Sequence, residues 1–270
     1  MALVPPSHSI DAVIFDVGGV LLLPDPDAGR EAFARFGCAP TDEEWWRAHY
    51  ATNLVLDAMV GASDWVAARR AFAASLGVRE EFFGDAVPLL EKLMVSTPYV
   101  PVGGAPDTLR LLAQADYKLG VVSNAFGTVA EDLEAQGICS IAGDRIPRVG
   151  VIVDSHLVGL EKPDPKIFHL ALEALEVEAS RAIYVGDTVK FDVNGATESG
   201  LYPIHMDPYG FCGEDHSHIA ALSELIDWLV PRTASVHGTT IGYQKFSDVV
   251  GIISPERRKR LDKIQGRNER

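Results

Sequence analysis

Two aspartates each close an apolar run: Asp16 after AVIF and Asp187 after IYVG. Asp192 follows Asp187 five residues later, Ser123 and Asn124 end LGVVSN, and Lys162 stands within GLEKPDP. Carboxylates are hard oxygen ligands, and Mg²⁺ takes few of them while keeping water and substrate phosphate. Asp16 and Asp187 therefore suit one Mg²⁺, with the backbone carbonyl of Gly18 as a third ligand. The Ser123 hydroxyl and backbone N–H groups suit phosphoryl oxygens. The fixed charge of Lys162 offsets the carboxylates and the charge that develops on a phosphoryl group. Asp16 is then free to attack phosphorus and form an aspartyl-phosphate. Each residue alone also has an ordinary structural role, as a helix cap, a turn residue or a surface lysine. Four such features, in order at strand ends, are harder to assign to capping and turns.

These residues meet only if their strands lie side by side and point the same way. AVIF (12–15), YKLGVVS, RVGVIVDS, RAIYVGD and LYPIHM are short, apolar and rich in β-formers, as strands buried on both faces must be. Between them lie stretches with apolar residues at helical spacing, such as APDTLRLLAQA and DPKIFHLALEALEV. Strands alternating with helices of about ten residues imply an α/β fold with a parallel sheet covered on both faces. Function then collects at the carboxyl ends of the strands. Residues 25–97 differ: TDEEWWRAHYATNLVLDAMVG and its neighbours are helical throughout. Thr41 and Glu44 fit a capping box, Ser63 or Asp64 fits the next cap, and Gly61 and Gly77 fall at helix ends. The expected organisation is a core from 1–24 and 98–232, a helical insert over 25–97 and an extension over 233–270.

The chain has 270 residues with a net charge of −14, which argues against nucleic acid or an anionic membrane as the main partner. Apolar runs are far shorter than the ~20 residues of a membrane span. The start carries no basic and apolar leader pattern, and three widely spaced cysteines make no disulfide framework or thiolate zinc motif. A cytoplasmic chain is expected. Residues 255–270 hold seven basic and three acidic residues. This tail is expected to dock on the acidic body, with contact to a protein or RNA as the alternative. DPYGFCGEDHSH (207–218) gathers Cys212, Glu214, Asp215, His216 and His218. Its spacing matches no metal motif, so it is read as a polar loop near the rim of the site.

The series FDVGGVL, VVSN, EKPDP and YVGDTVKFDVNGA resembles the haloacid dehalogenase superfamily of hydrolases, over residues 11 to about 230. The resemblance implies a Rossmann-like core with a helical cap inserted after the first strand. It implies Asp16 as nucleophile, Ser123 and Asn124 at the phosphate, and Lys162 steadying the phosphoryl group. It places Asp187 on Mg²⁺, with Asp192 as a further ligand or a carboxylate behind the ligands. One departure stands out. Phosphatases of the superfamily carry a second aspartate two residues after the nucleophile, as acid and base, and here that residue is Gly18. A positioned acid or base is worth ~10²–10⁴ in rate. Asp25, Asp27 and His49 are candidates to replace it.

Three functions follow. The first is a Mg²⁺-dependent phosphatase of a small phosphorylated metabolite. The second is a dehalogenase in which Asp16 attacks carbon without metal, favoured by Gly18 and the Ser–Asn pair but opposed by the retained Gly186–Asp187. The third is a phosphate-binding module without turnover, which the joint retention of Asp16, Lys162, Asp187 and Asp192 opposes. A phosphonate-cleaving relative needs an insert lysine for a Schiff base, and only Lys92, late in the insert, is present.

Overall fold

The structure is a computed structural model that describes residues 10–96, 98–143 and 145–230. The chain begins with β1 (Ala12–Phe15) and β2 (Leu22–Pro24), then enters four helices: α1 (Pro26–Phe33), α2 (Asp42–Asp57), α3 (Trp65–Ser75) and α4 (Phe83–Ser96). It returns through β3 (Tyr99–Pro101), α5 (Ala105–Gln114), β4 (Lys118–Ser123), α6 (Val129–Ala135), β5 (Val151–Asp154) and α7 (Ser155–Val158). It continues with α8 (Pro165–Leu175), β6 (Ala182–Gly186), a π-helical turn (Val189–Val193), α9 (Asn194–Glu198), β7 (Tyr202–Met206), β8 (His218–Ile219) and α10 (Ser223–Leu229).

The main sheet is parallel throughout, in the order β5-β4-β1-β6-β7-β8. β1 is central because all four of its residues are apolar and fully buried. Val13 and Phe15 face one cluster with Leu109, Leu112 and Leu225, while Ala12 and Ile14 face the other with Phe168, Leu172 and Tyr184. Burial of each large side chain here is worth about 1.5–3 kcal/mol. After β1 the sheet grows first toward β4 and β5, then returns to the other side with β6. The strand order therefore reverses at β1, and the crevice of an open α/β sheet opens at its carboxyl end. This is the expected α/β architecture.

Helices α1–α4 pack on their own cluster of Phe33, Trp45, Phe72, Ala86 and Leu90. Thr41 and Glu44 form the expected capping box, and of the two candidates Asp64 caps α3. The chain leaves and re-enters the core through an antiparallel pair, with Leu22 opposite Pro101 and Pro24 opposite Tyr99. Both ends of the helical segment are thus tied together beside β1. Trp45 is buried in this cluster, whereas Trp65 is half exposed and stacks on Phe191 of the π-helical turn at 6.1 Å. The basic tail at 255–270, like the rest of 231–270, lies outside the described residues.

Candidate active site

Asp16 follows β1, Ser123 ends β4 and Asp187 follows β6, so three chemistry-bearing side chains come from adjacent parallel strands. All three are buried, as are Lys162 and Asp192. The Asp16 amide donates to the Val185 carbonyl at 2.8 Å, which extends the ladder to Asp16 itself. Lys162 donates hydrogen bonds to Asp192 and Tyr184 and forms an ion pair with Asp16. Its Nζ lies 2.8 Å from Asp16 Oδ1, 2.7 Å from Asp192 Oδ1 and 3.0 Å from the Tyr184 hydroxyl. Tyr184 in turn donates to the Val122 carbonyl at 2.9 Å. Burial disfavours charge on Lys162, but the two carboxylates outweigh it and hold the ammonium protonated.

Asp192 enters the site from the π-helical turn. Its Oδ1 accepts Lys162, and its Oδ2 accepts the Thr188 amide and hydroxyl at 3.0 and 2.6 Å. Lys162 and Thr188 hold its carboxyl below the usual range against the opposing effect of burial. Both oxygens are already engaged by the protein, so Asp192 acts on Lys162. Close packing makes this possible: a Cβ at Gly186 would lie 2.2 Å from the Asp192 Cβ. Asn124 also serves Lys162. Its Oδ1 accepts the Lys162 amide at 2.7 Å and its Nδ2 donates to the Lys162 carbonyl at 3.0 Å. The side chain assigned to substrate by its place in the sequence is thus engaged as a backbone clamp.

Asp187 is held from the helical segment. Asn53 Nδ2, on α2, donates to its Oδ2 at 2.7 Å and to its carbonyl at 3.0 Å, and His49 Nε2 lies 3.0 Å from the same Oδ2. Tyr50 donates to the Gly19 carbonyl at 2.5 Å. Gly19 has a φ of +68°, and a Cβ there would lie 1.9 Å from Asp187 Oδ2 and 2.8 Å from His49 Nε2. The bare backbone after Asp16 is therefore required at position 19. Gly18 is different: its φ is outside the left-handed region, and a Cβ would meet nothing within 4 Å.

Of the three candidates for the missing acid, only His49 is brought to the site. Asp25 caps α1 through the Asp27 amide, and Asp27 is exposed and pairs with Arg30. Sequence reading missed Asn53 and Tyr184. A polar residue on a helix and a tyrosine within an apolar run carry no local signal of a buried partner. His156 lies in the first turn of α7, its amide donating to Asp154 at 3.0 Å, and Lys92 is exposed on α4.

The donor set fits a divalent cation. Carboxylate oxygens of Asp16, Asp187 and Asp192 lie within 4.8 Å of one another, all buried. One ammonium answers one of these three charges, which leaves two for a hard cation. Without that cation the Asp16 carboxyl is pushed up to about 7. Burial is the main cause, relieved by Lys162 and reinforced by repulsion from Asp192 and Asp187. Among the described residues no helix is long and apolar enough to cross a membrane.

Residues 10–200 match the haloacid dehalogenase-like hydrolase family. The chain is 30% identical over 236 residues to a phosphoglycolate phosphatase of Rhodospirillum rubrum, covering 81% of this chain and 90% of that protein. A glyceraldehyde 3-phosphate phosphatase of Methanopyrus kandleri is 30% identical over 105 residues, 37% of this chain and 40% of that one. Among solved structures, the HAD-hydrolase YfnB of Bacillus subtilis, bound to magnesium, superposes with a TM-score of 0.57 at 21% identity. That likeness covers 82% of this chain and 99% of the other, and at this identity it speaks for the fold.

Proposed function

The chain belongs to the haloacid dehalogenase-like hydrolases, and from that premise we propose that it is a Mg²⁺-dependent phosphatase of a small phosphorylated metabolite. The observation that carries the reading is the buried cluster of three carboxylates against one lysine, with its charge deficit of two. Similarity to two phosphatases of small phosphorylated compounds supports the same substrate class.

In this reading Asp16 and Asp187 hold the ion, with the Gly18 carbonyl as a third protein ligand. When bound, Mg²⁺ polarises the phosphoryl group and neutralises its charge. One Asp16 carboxylate oxygen attacks phosphorus, the bond to the ester oxygen breaks, and an aspartyl-phosphate forms. Lys162, fixed by Asp192, Tyr184 and Asn124, sits beside Asp16 and meets the charge on the transferring group. Ser123 binds a phosphoryl oxygen. Residues 25–97 act as a cap that covers the site and carries substrate choice, and α2 delivers His49 beside Gly19 and Asp187. His49 supplies the proton to the leaving oxygen in place of an aspartate at position 18. Three free cysteines fit a reducing cytoplasmic compartment.

The test is hydrolysis of aryl phosphates by the purified chain. Turnover with Mg²⁺ and silence in chelator support the reading. Equal turnover without metal, or chloride release from 2-chloropropionate, overturns it in favour of attack on carbon.

A further inference from the structure

Outside the carboxylate cluster, one other group of side chains converges. His205 lies on β7, His218 on β8, and Cys212 and His216 on the loop between them. One ligand atom from each lies within 4.8 Å of all the others. The residues 207–218, read as a polar loop from spacing alone, are completed by a histidine that the sequence places before them. We propose that His205, Cys212, His216 and His218 form a tetrahedral zinc site, separate from the carboxylate site and structural in purpose.

The distances fit that geometry. Zn–N bonds of about 2.0–2.1 Å and a Zn–S bond of about 2.3 Å imply tetrahedral edges of roughly 3.3 Å between nitrogens and 3.6 Å between nitrogen and sulfur. His205 Nδ1 lies 3.0 Å from His216 Nε2, and Cys212 Sγ lies 3.8 Å from that same Nε2. The backbone builds the arrangement. β7 and β8 are parallel with His205 directly opposite His218, so both side chains leave the same face of the sheet. His216 and His218 are two apart, and their rings stack at 4.3 Å. Asp207 accepts the Phe211 and Cys212 amides at 2.9 and 3.1 Å, which turns the loop so that Cys212 faces the histidines.

The outer contact on His205 is the kind that metal-bound histidines make. Its Nε2 lies 3.0 Å from the Asp187 carbonyl. A carbonyl only accepts, so Nε2 carries the proton and Nδ1 presents a bare lone pair to the cluster. The donors are one sulfur and three imidazoles, a set that suits zinc, whereas the all-oxygen cluster at Asp16 suits Mg²⁺. The two sites would therefore sort their metals by ligand type. Zinc would also fix His205, and through it the backbone of Asp187 at the end of β6.

The test uses the full chain, expressed without a polyhistidine tag, and reads metal rather than activity. After zinc loading and desalting, elemental analysis should find about one zinc per chain, lost in Cys212→Ala and in His218→Ala. Cobalt loading should give a thiolate charge-transfer band that Cys212→Ala removes. Absence of bound zinc in the wild type, or zinc retained in both variants, overturns the proposal. A wild-type measurement covers the case in which the variants fail to fold. Zinc should slow alkylation of Cys212, followed by mass spectrometry, on the order of tenfold or more. An unchanged alkylation rate overturns it, because the contact at 3.0 Å is then only a proton shared between two imidazoles. Failure of the phosphatase reading would leave these results untouched.

Discussion

Gly18→Asp should add a second proton donor to the one His49 supplies, with its largest effect on poor leaving groups once His49 is removed. The substitution is sterically open, since a Cβ at Gly18 meets nothing within 4 Å and the backbone there is outside the left-handed region. A carboxyl two residues after Asp16 restores a proton donor worth ~10²–10⁴ in rate, or about 2.7–5.5 kcal/mol of barrier. An aryl phosphate expels a stable phenolate and needs little of this help, whereas an alkyl phosphate needs most of it. The assay is kcat/KM with Mg²⁺ across leaving groups of rising pKa, in wild type, Gly18→Asp, His49→Gln and the double variant. His49→Gln should lower alkyl rates steeply and aryl rates little. Gly18→Asp should raise alkyl rates modestly beside His49 and far more in the His49→Gln background, because the two donors do one job. Gly19→Ala serves as the opposite control, since its Cβ would strike Asp187 and His49. If all four chains fold and alkyl rates do not respond to either substitution, position 18 and His49 do not face the leaving oxygen, and the reasoning fails.

Three further outcomes follow from the buried network. Lys162→Met leaves the Asp16 and Asp192 carboxylates buried without their cation, so urea unfolding should show a loss of ~3–5 kcal/mol, partly recovered by adding Asp192→Asn. Asn124→Ala removes both bonds to the Lys162 backbone, at 2.7 and 3.0 Å. It should cost ~1–3 kcal/mol of stability and lower kcat more than KM rises, whereas a substrate-binding role would show chiefly in KM. The Cys139 thiol is fully buried and pushed up to about 12 by that burial. It should resist alkylation in the native chain at pH 8 and react only on unfolding, as peptide mass mapping would show.

The parts of the fold legible in the sequence are those governed by local rules. β1, β4 and β6 are apolar runs that end in Asp16, Ser123 and Asp187, and burial on both faces leaves no room for polar alternation. Thr41 and Glu44 announced their helix because a capping box is a contact within one turn. The β2–β3 pair stayed hidden: its strands have three residues each, contain Pro24 and Pro101, and exist through pairing across the whole helical segment. The site divided in the same way. Asp16, Lys162, Asp187 and Asp192 stood out as polar residues at strand ends and in a tight loop. Asn53, Tyr184 and His205 did not, because each acts on a residue distant in sequence. Asn124 was visible as a polar residue, but its task was not, since only the folded chain places the Lys162 backbone against its amide.

The proposed phosphatase reaction requires a carboxylate oxygen of Asp16 to bond to phosphorus. Turning enzyme can be quenched with acid, reduced with borohydride and digested for tandem mass spectrometry, which converts an acyl phosphate into homoserine at the residue that carried it. Homoserine is expected at position 16, dependent on substrate and Mg²⁺ and absent in Asp16→Asn, which also loses turnover. Homoserine at another carboxylate, or steady turnover by Asp16→Asn, would contradict it.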